Sequence, residues 1–364
     1  MTTTRRRGDQ PVGTAGRSGL ARLGQAQISA WSHAAQALTL LTAAHQRGWL
    51  TFLRYPRTAP ELAAFTGVEG ARLAAALRVL EASGVVRRTG DTIDLRPEFA
   101  ELVADDGLYA LDDLLGRATA MKRLVGDSAD ASGPARPTDE ESLAVARGFV
   151  WRPGPGGREI YRGMLNALPE FESAVRAGRM LDVGCGVAGA MLTAATMFPR
   201  MSGVGLEAVP SVAAEAHRSA ATFGDRIRIV AMDARDFDET AAFDVCFWAQ
   251  PFFPAETRED TLRMINRALK PGGILLEQEM EVEPRDEDDR LGFALRGLVF
   301  GGWNVPFART AEDLAAEARS AGFETVRIAA TNLGRVVISR RQFETPPRRR
   351  QFETPPRKGR RTWL

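Results

Sequence analysis

RMLDVGCGVAG, residues 179–189, is the stretch from which the fold can be read. A short apolar run, Met180, Leu181 and Val183, carries a single acid, Asp182, and enters Gly184-Cys185-Gly186-Val187-Ala188-Gly189. The helix-forming segment AMLTAATMF comes next. Glycines at a strand-to-helix turn permit a tight reversal and let a ligand lie against the backbone. The Gly-x-Gly-x-x-Gly spacing alone does not choose among nucleotide ligands. The residues at fixed distances on either side have to choose.

Downstream, strand and helix patterns alternate. Strands are expected at 179–183, 203–207, 227–232, 244–249 and 273–278, with helices such as 210–222 and 257–269 between them. Units of this length imply an α/β fold with a mostly parallel sheet covered on both faces. A helix at 311–321 then leads to two β-rich runs, 325–329 and 335–339, close enough to pair antiparallel at the sheet edge.

Upstream, apolar residues Ile28, Trp31, Ala35, Leu38, Leu41 and Ala44 recur every three or four positions and give a helical stripe that must be buried. Thr58 to Leu95 reads as helix, turn, helix and a two-stranded hairpin around Gly90-Asp91, the layout of a winged helix. Its second helix exposes Glu69, Arg72, Arg78 and Glu81, a balanced set unsuited to phosphates, so nucleic acid is not the expected partner. The expected organisation is an unstructured 1–20, a helical winged-helix domain at 21–125 and a linker at 126–141. A ligand-binding α/β domain at 142–340 and a basic tail at 341–364 complete it.

Composition narrows the function classes. The 364 residues carry a net charge of +2, but the two termini hold +3 and +6, leaving the body near −7. The basic balance thus belongs to the ends. In the tail, RRQFETPPR at 340–348 is repeated letter for letter at 349–357 and is expected to be disordered. Two cysteines, Cys185 and Cys246, and three scattered histidines argue against a disulfide framework or a metal cluster. No apolar run approaches the ~20 residues of a membrane span. No secretory signal is read, and a cytoplasmic location is the expectation.

Three strand tips define the ligand. Asp182 precedes the glycine turn, Glu207 ends the second strand, and Asp233, after Met232 and before Ala234, ends the third. A carboxylate at the second tip accepts the hydroxyls of a ribose, and one at the third suits an adenine amine. An adenosine-bearing ligand follows, and Asp182 offers a place for a positively charged amino group.

With LDVGCGVAG, GLE, AMDARDF, FDVCFWAQPFFP and ALKPGG in order, the chain resembles the class I S-adenosylmethionine-dependent methyltransferases. The winged helix before the linker is similar to the dimerisation domain of bacterial natural-product O-methyltransferases. The resemblance implies a Rossmann-like sheet, S-adenosyl-L-methionine as cofactor, a homodimer and a small-molecule acceptor, with oxygen ahead of carbon and nitrogen. It implies cofactor contacts from Asp182, Gly184, Cys185, Gly186, Glu207, Met232, Asp233, Ala234 and Gln250. Tyr161 and Arg158 could close over the cofactor carboxylate, while Cys185 fills space and does not react.

The chain departs from that pattern after its fourth strand. Plant-type relatives carry a catalytic His there, whereas Ala249-Gln250-Pro251-Phe252-Phe253-Pro254 has none. Catalytic candidates are Gln250, Glu277 and Glu279, with Glu159 and Glu281 as weaker ones. An acceptor that needs only placement is the alternative to a base. Phe252, Phe253, Phe300 and Trp303 are expected to form an apolar acceptor pocket, or else to pack in a core or dimer interface. Two other readings stay open: a ligand-sensing winged-helix regulator, and an enzyme of the same fold that transfers no methyl group.

Overall fold

The computed structural model describes residues 14–129 and 136–342. Most of the N-terminal stretch, the middle of the expected linker and nearly all of the repeated tail lie outside the described residues. The chain divides into two compact units between Leu115 and Gly116. The division falls inside the helix Leu111–Ser128, ahead of the composition-based linker at 126–141.

The first unit opens with the helix Thr14–Gln46, so residues 14–20, expected to lack structure, are helical. Only the end of the expected apolar stripe is covered: Leu41 and Ala44 join the unit's core, whereas Ile28, Trp31 and Leu38 stay exposed. Strand β1 (Arg57–Thr58) leads into the helix Ala59–Thr66, whose start is closed by a capping box of Thr58 and Glu61. The helix Gly70–Ala82 buries Leu73, Leu77 and Leu80 at helical spacing. Strands β2 (Val86–Thr89) and β3 (Thr92–Leu95) form the expected hairpin, and β1 adds to the free edge of β3. Glu69, Arg72, Arg78 and Glu81 are exposed, as their pattern implied.

In the second unit, Arg123 binds both Asp127 and Glu141, tying the end of one helix to the start of the next, Asp139–Phe149. That guanidinium holds the Glu141 carboxyl down at about 2. The large sheet comprises β4 (Arg179–Val183), β5 (Ser202–Glu207), β6 (Ile227–Ala231), β7 (Phe243–Trp248), β8 (Leu269–Gln278), β9 (Phe323–Thr331) and β10 (Gly334–Arg341). Their order is β6-β5-β4-β7-β8-β10-β9. β4 to β8 run parallel, and β10 and β9 close the edge antiparallel. The Rossmann-like fold and its edge hairpin are therefore as the sequence implied.

Strand alternation builds the two apolar layers. Met180 faces one, with Leu165, Phe171, Val175 and Met191; Leu181 and Val183 face the other, with Leu262, Ile265 and Ala268. Each fully buried Leu contributes roughly 1.5–3 kcal/mol. The order reverses at β4, with β5 on one side and β7 on the other. In open α/β sheets that reversal leaves a crevice at the carboxyl ends of the strands.

Candidate functional site

The glycine turn is fixed by backbone bonds to the neighbouring strand. Gly184 and Cys185 both donate to the Leu206 carbonyl, at 2.9 and 3.0 Å. Gly184 and Gly186 hold φ of 73° and 56°, the left-handed region that favours glycine. A methyl group on Gly184 would stand 2.8 Å from the Phe253 ring, whereas one on Gly186 would meet no atom within 4 Å. The first glycine admits an aromatic side chain, and the second leaves the turn open toward the crevice.

That crevice is a cavity of about 520 Å³. Asp182, Gly184, Cys185, Gly186, Glu207, Met232, Asp233 and Ala234 all line it, so eight of the nine residues expected at the cofactor are brought together. Glu207 accepts Gly186 N–H through Oε2 at 3.1 Å and Val209 N–H through Oε1 at 2.9 Å. Burial nonetheless pushes its carboxyl up. Burial, and secondarily the charge of Glu207, pushes Asp182 up to about 7. Asp233 is different: Arg235 binds it through Nε at 3.0 Å and Nη2 at 2.7 Å, which holds its carboxyl below the usual range. The Cys185 thiol is pushed well up by burial and by the two acids, which keeps it protonated and inert.

Gln250 is the ninth residue and does not line the cavity. Its Nε2 donates to the Gln278 carbonyl at 3.1 Å, and Arg258 donates to its Oε1 at 3.2 Å and its carbonyl at 2.8 Å. Its amide is taken up in holding the loop. Glu277 is fully buried off the cavity, with neither carboxyl oxygen hydrogen-bonded. Burial pushes it up to about 8. Glu279 pairs with Arg335 at 2.6 Å and accepts Ala311 N–H at 3.0 Å, which caps the helix Ala311–Ser320 and holds the carboxyl low. Glu281 pairs with Arg296, Glu159 is exposed, and neither lines the cavity. Tyr161 is buried and Arg158 partly exposed, both away from the cavity lining.

The opposite wall is aromatic. Phe252, Phe253 and Trp303 line the cavity as expected. Phe300 does not: it is buried behind them, with ring centroids 5.9 Å from Phe252 and 5.4 Å from Trp303. Sequence reasoning missed Val145, Ala146, Phe149, Val150 and Trp151, which also line it. The signal was the apolar end of that helix running into a Pro/Gly-rich bend; Phe149 meets Phe252 edge-on at 5.6 Å. Among the described lining residues, Asp182, Glu207 and Asp233 are the ionisable acids, and none is Lys, Arg or His. Such a lining favours a ligand with positive charge at one end and apolar surface at the other.

Residues 180–273 match the family described as "Methyltransferase domain". This segment is a class I, S-adenosylmethionine-dependent methyltransferase domain. S-adenosylmethionine is the cofactor of that family, and the open glycine turn with its acidic lining fits such a cation. The chain is 27% identical over 180 residues to 24-methylenesterol C-methyltransferase 2 of Oryza sativa subsp. japonica, covering 48% of this chain and 49% of that protein. It spans between a third and little more than half of the length of the curated relatives it matches, 34% to 57%. Among solved structures it resembles mitomycin 7-O-methyltransferase MmcR, with a TM-score of 0.63, 20% identity, and coverage of 89% of this chain and 99% of that one. It also resembles human N-acetylserotonin methyltransferase in complex with the cofactor, with a TM-score of 0.65, 16% identity, and coverage of 88% and 98%. These likenesses show the fold. Among the described residues no helix is long and apolar enough to cross a membrane.

Proposed function

We propose that this protein transfers the methyl group of S-adenosylmethionine to an oxygen of an apolar, aromatic small molecule. The observation that carries the reading is one cavity with acids at the tips of β4, β5 and β6 and aromatic rings facing them. The cofactor supplies a methyl group already activated on positive sulfur. Asp182 would take the amino group, the Gly184–Gly186 backbone the methionine chain, and Glu207 the ribose. Met232, Asp233 and Ala234 would take the adenine, with the Asp233 carboxylate shared with Arg235. Phe149, Phe252, Phe253 and Trp303 would hold the acceptor and keep water from the transfer, which needs chiefly in-line placement.

Oxygen is favoured by the likeness in fold, over 89% of the chain, to the mitomycin 7-O-methyltransferase. Carbon is the second reading, supported by the sterol C-methyltransferase likeness over half the chain. The exposed apolar face of Thr14–Gln46 supports a homodimer, and a cytoplasmic protein with no nucleic-acid partner completes the proposal. Calorimetry with S-adenosylmethionine and detection of S-adenosylhomocysteine in the presence of candidate acceptors test it. NMR of a carbon-13 methyl product separates O-methyl from C-methyl. An absence of cofactor binding would overturn the reading.

A further inference from the structure

We infer that the acceptor brings its own nucleophilic anion: it is an aromatic oxygen acid that ionises in water near neutral pH, and the protein supplies no base for it. The inference rests on the proposed function and narrows its acceptor class. Every carboxylate among the described cavity-lining residues belongs to the β4, β5 and β6 tips, at Asp182, Glu207 and Asp233, and the Cys185 thiol beside them is pushed well up by burial. The wall on the β7 side consists of Phe149, Val150, Phe252, Phe253, Met280 and Trp303. The polar groups beside it are neutral: Thr257 donates to the Pro254 carbonyl at 2.8 Å, Gln278 donates to the Leu333 carbonyl, and the indole N–H groups of Trp151 and Trp303 are donors that cannot take a proton.

The carboxylates at and beyond the end of β8 do not line the cavity. Glu279 and Glu281 hold arginines, and Glu277 is buried off the cavity. His217 is exposed on the helix Pro210–Ala220. With Asp182, Glu207 and Asp233 given to the cofactor, a hydroxyl with an ordinary phenolic pKa of about 10 would have no carboxylate or imidazole left in the described lining to take its proton.

An apolar wall also favours an anionic acceptor on energetic grounds. The acceptor loses its proton to water before it binds. An oxygen lone pair then forms the O–C bond while the C–S bond breaks and its electron pair stays on sulfur. A cation and an anion become two neutral products, so charge diminishes toward the transition state. Surroundings that cannot hydrate the anion raise the energy of the separated charges more than that of the transition state. A neutral amine gains nothing comparable, because its attack moves positive charge onto nitrogen.

The test uses the full-length protein, saturating S-adenosylmethionine, and 2-naphthols graded in acidity by chloro and nitro groups, with 2-naphthylamine alongside. kcat/KM is followed by S-adenosylhomocysteine release across pH. Each naphthol should show an inflection at its own pKa, with the rate falling about tenfold per pH unit below it. Glu277→Gln should leave every inflection in place. A single inflection shared by all naphthols, or one abolished in Glu277→Gln, would overturn the inference, as would faster turnover of the naphthylamine. If the cofactor binds by calorimetry and no naphthol is methylated, the acceptor class is overturned and the cofactor reading stands. If the cofactor does not bind, the proposed function itself fails.

Discussion

Gly186 donates its backbone N–H to Glu207 at 3.1 Å, so the residue proposed to hold the ribose also fastens the glycine turn. The second carboxyl oxygen accepts Val209 N–H, leaving the remaining lone pairs for a ligand. Glu207→Gln keeps the volume but points an amide N–H₂ at one of these two donors and removes the charge. Hydrogen bonds to charged groups contribute about 1.5–3 kcal/mol. The Kd for S-adenosylmethionine should therefore rise about ten- to a hundredfold by calorimetry. Circular dichroism should show the fold retained. An unchanged Kd would remove Glu207 from the cofactor site.

Asp182 gives the site a pH dependence of definite sign. With its carboxyl up at about 7 in the free protein, it is largely protonated below that pH. A cation bound beside it favours the ionised form, so binding below pH 7 must expel a proton. Cofactor affinity should strengthen as pH rises toward 7 and level off above it. Titrations at pH 6 in buffers of different ionisation enthalpy should show net proton release. Asp182→Asn should flatten the profile and weaken binding at pH 8. A flat wild-type profile would contradict the proposed contact.

Much of this was legible in the sequence, for identifiable reasons. The turn at Gly184–Gly189 and the acids at Glu207 and Asp233 sit at strand tips, and strand ends in a parallel sheet are punctuated by glycine and charge. The error lay in β8. Ile274, Leu275 and Leu276 are buried on alternating faces, so the apolar pattern carries no parity signal to say which of Glu277, Gln278 and Glu279 faces the ligand. The fold turns Gln278 to the cavity and both carboxylates away from it. Gln250 was misplaced because its partner Arg258, eight residues on, read only as the start of a helix. Phe149 to Trp151 escaped notice because they reach the cavity only through tertiary packing.

Glu277 should make its mark on stability. Its folded pKa, up at about 8, lies above the ordinary 4.5, so the folded state binds the extra proton between those values. Stability from this group is full below about pH 4.5 and is lost as pH rises through 8. Glu277→Gln, neutral throughout and of the same shape, should match wild type near pH 5. At pH 9 it should unfold about 3 °C higher or more by calorimetric melting. Equal melting points at both pH values would show that the buried carboxyl finds a partner.

The long helix Thr14–Gln46 bears on assembly. Leu20, Leu23, Ile28, Trp31 and Leu38 are exposed on it, and at 100° per residue they fall within roughly 140° of one another. Further along, Leu41 and Ala44 enter the core of their own unit, so the same helix is anchored at one end and bare at the other. A helix of this length extends about 50 Å. Matching faces from two copies would cover a strip that water would otherwise wet, and a self-complementary contact closes as a twofold dimer. Wild-type protein at micromolar concentration should sediment near twice its 39.6 kDa chain mass. Trp31→Glu combined with Leu38→Glu should sediment as a monomer while retaining the circular dichroism of the folded chain. A monomeric wild type would reject the dimer, and a double variant that stays dimeric would place the interface elsewhere on the molecule.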